Sequence, residues 1–166
     1  MFSASNNGVL TYRTGDVSTA GVVKLIWVGR NGKELEEAGQ PGAYLGVAIS
    51  PDEKRIAVHR HDGLGGDIWV FNPPRVTPLR LTFDASQDNS SPIWSPDGNR
   101  IAFGSLRPGK WGLYQKPSDG AGNEELVFES QTPIAPMSWS RDGQFLLFWL
   151  QDPKTRSDLW FVPFQG

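Results

Sequence analysis

The stretch Pro92-Ile93-Trp94-Ser95-Pro96-Asp97-Gly98-Asn99-Arg100-Ile101-Ala102-Phe103 decides how the chain is read. One apolar run enters the turn Ser95-Pro96-Asp97-Gly98 and another leaves it. Pro fixes φ, the Asp side chain bonds its own backbone, and Gly tolerates positive φ, so the stretch predicts a tight β-hairpin. The unit recurs at a spacing of about 45 residues. Ser50-Pro51-Asp52-Glu53 precedes Arg55-Ile56-Ala57-Val58, and Ser140-Arg141-Asp142-Gly143 precedes Phe145-Leu146-Leu147-Phe148. One repeat further back, Ser5-Asn6-Asn7-Gly8 precedes Val9-Leu10-Thr11-Tyr12. A strand-built repeat of roughly 40–45 residues marks a propeller blade.

Working outward from these turns, each repeat divides into four strand-like pieces, a to d from the inside of a blade outward. The blades are expected at 1–38, 39–83, 84–129 and 130–166. In the first, Phe2 to Ala4, Val9 to Arg13, Lys24 to Val28 and Lys33 to Glu37 are the four pieces, with Asn31-Gly32 as a hairpin signal. The second takes Ala43 to Ile49, Arg55 to His59, Asp67 to Phe71 and Pro78 to Thr82. The third takes Ser91 to Trp94, Arg100 to Gly104, Trp111 to Lys116 and Glu124 to Phe128. The fourth has Ala135 to Trp139, Phe145 to Leu150 and Leu159 to Pro163, and no strand d. The expected fold is therefore all-β, a propeller of four-stranded antiparallel blades. Trp27, Trp69, Tyr114 and Trp160 are expected to share one strand-c column, and Ile49, Trp94 and Trp139 a column before the turn. Blades bury both faces of each sheet, so these large residues read as core.

Composition narrows the function classes. The net charge of −2 over 166 residues, with no basic stripe, argues against nucleic acid. There is no Cys, hence no disulfide framework and no cysteine-based zinc site. No run is long enough to span a bilayer, so membrane insertion is not expected. A Cys-free chain suits cytoplasm and periplasm equally.

Pro-x-Trp-Ser-Pro-Asp-Gly-x-Arg-Ile-Ala-Phe at 92–103, followed by Leu113-Tyr114, resembles the repeat of TolB-type β-propellers. Asp67-Ile68-Trp69-Val70 and Asp158-Leu159-Trp160 match the strand-c signature of that family. The longer pattern around Leu81-Thr82-Phe83-Asp84 and Asp152-Pro153-Lys154-Thr155 is similar to propellers C-terminal to bacterial serine/threonine protein kinases. The chain itself carries no Gly-rich loop, His-Arg-Asp loop or Asp-Phe-Gly site. The resemblance implies a sensor or docking part, not a kinase.

In a propeller the d–a connections and b–c loops open on one face around the central channel, and loops on a rigid scaffold carry function. The candidate ligand- or partner-binding residues there are Tyr44, Asp88, Asn89, Arg107, Lys110, Trp111 and Arg156. Asn89 aligns with Tyr44 and Ile134, a column that varies while the scaffold repeats. Each of these residues also reads as an ordinary solvated loop position. Basic side chains beside aromatics suit a carboxylate or an acidic peptide. His59 and His61, two apart on a strand, point to one face, and with Asp62 they form a candidate metal pair. Strand-end histidines are common and no third neutral ligand is evident. No cofactor is expected, although a divalent cation would suit clustered oxygens near Asp88.

There is no Gly-x-Ser-x-Gly elbow and no activated nucleophile, so a non-catalytic scaffold binding a protein or small ligand is expected. The alternatives are the propeller part of a hydrolase or peptidase, or a metal-dependent enzyme using the channel mouth. An unpaired last strand and bare blade faces predict a homo-oligomer, a dimer completing a ring, or a part of a longer propeller.

Overall fold

The computed structural model describes residues 2–4, 10–13, 21–61, 65–73, 77–83 and 88–164. Four antiparallel sheets follow one another along the chain, each an up-and-down meander. The first holds β1 (Phe2–Ala4), β2 (Leu10–Arg13), β3 (Leu25–Val28) and β4 (Glu34–Glu37). The second holds β5 (Tyr44–Ile49), β6 (Ile56–His61), β7 (Gly66–Phe71) and β8 (Leu79–Arg80). The third holds β9 (Asp88–Trp94), β10 (Arg100–Arg107), β11 (Lys110–Pro117) and β12 (Glu125–Ser130). The fourth has three strands, β13 (Ile134–Trp139), β14 (Phe145–Asp152) and β15 (Arg156–Pro163). The hairpin expected at Asn31-Gly32 leads into strand β4.

The core lies between sheets, as blades require. Val23, Leu25, Trp27 and Ala38 of the first blade meet Tyr44, Ile56, Val58 and Phe71 of the second. Ala57, Ile68, Val70 and Leu81 then meet Trp94, Ile101 and Phe103 of the third. Ala102 and Leu113 meet Ile134, Leu146 and Phe148 of the fourth. The two-residue period explains the division: Ile56 and Val58 serve one interface while Ala57 serves the next.

This geometry corrects the strand-c column. Ala38 donates its N–H to the Leu25 carbonyl as Leu81 does to that of Ile68. Leu25 is therefore the counterpart of Ile68, and Trp27 that of Val70. Trp27 faces the following blade, whereas Trp69 packs on the preceding one. The aromatic alignment was one residue out of register in the first blade, and a one-residue slip reverses the face of every side chain.

The repeated turns are built alike. Ser50, Ser95 and Ser140 each donate Oγ–H to the Asp two residues on, at 2.5 Å. The backbone N–H of Arg55, Arg100 and Phe145 returns to the same Oγ at 2.9 Å. The serine hydroxyl holds the carboxyls of Asp52, Asp97 and Asp142 below the ordinary range. The fourth turn position is left-handed in all three, with φ of 72° at Gly98, 74° at Gly143 and 60° at Glu53. Only Glu53 has a Cβ to strain there, at about 1 kcal/mol. Glu53→Gly is expected to raise stability by about 0.5 kcal/mol after the added unfolded-chain entropy. Gly98→Ala is expected to lower it by about 1 kcal/mol. Urea titration reads the opposite signs, and a loss in both would refute this account.

Candidate functional site

The inner strands β5, β9 and β13 approach one another around a cavity of about 250 Å³. Its lining includes Leu45 and Val47 from β5, Ser91 to Ile93 from β9, Pro136 from β13, and His59 from the second rank of strands. All three inner strands carry a bulge where they pair with their neighbours. In β9 the pairing steps from Ile93–Ala102 to Ser90–Gly104, so Ser91 and Pro92 face Phe103 alone. Ser91 takes φ of 54° at that point, an uncommon conformation for a residue with a Cβ. Backbone strain concentrates at sites that bind or switch.

His59 stands at the junction of the second and third blades. It is 6% exposed, and its Nε2 lies 3.5 Å from Oδ1 of Asp88. Neither atom has a well-formed hydrogen bond among the described residues, nor does Oδ1 of Asn89. The Asp88 carboxyl is held below the ordinary range first by its long hydrogen-bonding contact with His59. The charges of His59 and His61 and the Gly66 N–H act in the same sense, while partial burial opposes them. Gly66 makes the contact possible: a Cβ there would overlap the His59 ring and lie 2.7 Å from Asp88 Oδ1. His61 shares the face of His59, with ring centroids 6.1 Å apart. Asp62 lies outside the described residues. Among those described, no three His, Cys, Asp or Glu side chains converge as a metal site.

The remaining candidates separate. Asp88 and Asn89 belong to β9, which starts three residues earlier than the expected strand at Ser91. Asn89 is fully buried, with Nδ2 3.5 Å from Asp67 Oδ1, so it is no solvated loop residue. Tyr44 is 3% exposed and lies in the core rather than at the mouth. Its hydroxyl donates to the Gln40 carbonyl at 2.6 Å and its ring meets Phe71 edge-on. The alignment itself holds, since Tyr44 pairs with Arg60 as Asn89 does with Ser105 and Ile134 with Leu150, but this column is buried in each of these blades rather than open at the mouth. Arg107 pairs with Glu124 and stacks on Tyr114, its Cζ 3.4 Å from the ring centroid. Lys110 pairs with Glu129 at 2.9 Å. Trp111 packs on the cluster between blades three and four. Arg156 is exposed in the β14–β15 hairpin at φ of 77°. Expected as free cations beside aromatics, Arg107 and Lys110 are instead taken up by carboxylates of their own blade.

The sequence pattern gives no role to Asp67, which organises a polar network with Asn89, Arg80 and Thr82. Its Oδ1 accepts from Thr82 Oγ1 at 2.6 Å, and Oδ2 accepts from Arg80 Nη2 at 2.5 Å and Nε at 3.1 Å. Thr82 also accepts the N–H of Ile68 at 3.0 Å. The available signal was the pairing of Asp67-Ile68-Trp69 with Arg80-Leu81-Thr82 on adjacent strands.

No family model matches the chain. The Tol-Pal system protein TolB of Thioalkalivibrio sulfidiphilus is 33% identical over 85 residues, 51% of this chain and 17% of that protein. The structure of a putative TolB from Agrobacterium tumefaciens superposes with a TM-score of 0.79 at 20% identity, over 98% of this chain and 60% of that one. A prolyl endopeptidase structure superposes with a TM-score of 0.70 at 14% identity, over the whole chain and 26% of the enzyme. The chain thus spans less than two thirds of these relatives. In fold it is a β-propeller, and its repeat is similar to that of TolB proteins.

Proposed function

We propose that this chain is a non-catalytic propeller scaffold that binds a protein partner through the channel mouth centred on His59 and Asp88. The observation that carries the reading is a buried imidazole and a carboxylate oxygen, both without a well-formed hydrogen bond among the described residues, beside a cavity between the inner strands. Buried polar atoms held at so long a contact are poorly satisfied, and a closer external partner would satisfy them better. The likeness to a Tol-Pal system protein supports a protein as that partner. Likeness to peptidases is a likeness of fold, and fold does not assign an activity.

A displayed peptide library panned against the folded chain tests this. Peptides that bind the wild type are expected to lose at least about tenfold in affinity on Asp88→Ala, with the fold retained by circular dichroism. Binding unchanged in Asp88→Ala would overturn the reading. So would turnover of peptide or ester substrates that His59→Ala abolishes.

The fourth blade supports association with a second copy. Leu25, Ile68 and Leu113 are at most 1% exposed where the next blade covers them, but their counterpart Leu159 is 65% exposed. Phe161 on the same face is equally open, and β15 has a neighbour on one side only among the described residues. Light scattering across concentrations is expected to show a dimer that Leu159→Asp dissociates. A monomer at every concentration would refute it.

A further inference from the structure

The interfaces between blades two and three and between blades three and four are repeats of one another, yet one is filled and the other open. In the first, Arg55 crosses from the second blade. Its guanidinium lies over the Trp94 ring, 4.6 Å from the centroid, and donates to the Gly98 carbonyl at 2.9 Å and Ser118 Oγ at 3.0 Å. Arg100, Trp139 and Gly143 are the counterparts one repeat later. There the cation does not cross. Arg100 donates to Glu125 Oε2 of its own blade at 3.2 Å, and Gln115 Nε2 donates to the same oxygen at 2.8 Å. The place that Arg55 occupies in one interface is a cavity of about 410 Å³ in the next.

That cavity keeps the ring and the turn carbonyl that hold the Arg55 guanidinium but not the hydroxyl, because Phe164 stands where Ser118 does one repeat earlier. Trp139 is part of its wall, and among the described residues no cation stacks on that ring. The indole Nε1 donates to the Gly143 carbonyl at 3.2 Å, which leaves the carbonyl a second lone pair. Phe164 meets the indole edge-on, centroids 4.5 Å apart, and fixes its angle. The Asp97 and Asp142 carboxylates stand at the same cavity with Arg100 and Arg141, and Asp142 spends Oδ1 on its own turn, leaving Oδ2 for a cation. A flat cation gains from an aromatic face, a carbonyl and a carboxylate together, and guanidinium meets all three by its planar fork.

We propose that the slot between the turns of blades three and four binds a guanidinium group, stacked on Trp139 and donating to the Gly143 carbonyl and the Asp142 carboxylate. The site lies at the turns, away from the channel mouth, and stands whether or not the mouth binds a protein. The group is carried either by an arginine side chain of a peptide or by a small free guanidine.

The test follows the Trp139 indole N–H resonance, assigned by its loss in Trp139→Leu, during titration of the folded chain. Acetyl-Gly-Arg-Gly-amide and methylguanidine are the two ligands, with acetyl-Gly-Lys-Gly-amide as the comparison. Saturable shifts with both guanidines, at least several-fold weaker for the lysine peptide, are expected. Asp142→Asn is expected to weaken binding about threefold to tenfold without unfolding the turn, because the amide still accepts from Ser140. A tighter peptide than methylguanidine assigns the site to a polypeptide ligand; equal affinities assign it to a small one. Glu125→Ala, which frees Arg100 to enter the slot as Arg55 does, is expected to weaken both ligands by competition. No saturable shift, or equal affinity for the lysine peptide, would overturn the proposal.

Discussion

Replacing Phe103 with alanine is expected to lower stability by about 3–5 kcal/mol. The ring is fully buried on β10, in the cluster that joins the second and third blades. It stacks with Tyr114 of its own blade, centroids 6.2 Å apart and planes 21° from parallel. Truncation removes the transfer free energy of the ring and leaves a cavity that two rigid sheets cannot close. The loss is a large share of the roughly 5–15 kcal/mol that separates folded from unfolded states in natural domains. Urea denaturation followed by tryptophan fluorescence measures it. Phe103→Leu, which keeps most of the volume, is expected to cost about 1–2 kcal/mol. Equal losses for the two would show that the ring is not packed as described.

Asp67→Ala is expected to cost about 2–4 kcal/mol, and for a different reason. The substitution removes the acceptor for Thr82 Oγ1 and for Arg80 Nη2, while Arg80 Nε keeps the Thr82 carbonyl at 3.0 Å. Thr82 is fully buried and cannot turn to water, whereas Arg80 is partly exposed and recovers some hydration. The figure is therefore set below that of a wholly buried ion pair. Asp67→Asn keeps one acceptor and is expected to recover about half of the loss. Thermal or urea unfolding of the pair of variants decides the matter, and an alanine variant as stable as wild type would refute the network. Because Asn89 approaches the same carboxylate, Asp67→Ala is also expected to weaken any ligand whose binding depends on Asp88.

The blade repeat was legible because its turn chemistry is local. Ser-Pro-Asp-Gly specifies its bend within four residues, and three copies share the same hydrogen bonds. The candidate site was legible in part. His59 and His61 share a face as their spacing requires, and Asp88 lies near them, but the contact between His59 and Asp88 joins two blades. Spacing along one strand says nothing of such a contact. Tyr44 does occupy the position of Asn89 and Ile134, but the column is buried between blades, which the repeat spacing does not reveal. Arg107 and Lys110 were read as open cations because their partners, Glu124 and Glu129, stand on the adjacent strand.

The amino-acid sequence by itself determined the hairpin turns, the strand order within each blade and the all-β repeat, since these follow from φ preferences and from apolar runs a few residues long. Tertiary structure alone decided which face of each blade a side chain serves. It moved Trp27 to the far side of its sheet, brought His59 to Asp88, and left open at Trp139 the slot that Arg55 fills at Trp94. The physical reason is common to all three. Bulges and strand register shift side chains by whole residues, and contacts between blades depend on the packed distance between sheets, which no local pattern encodes.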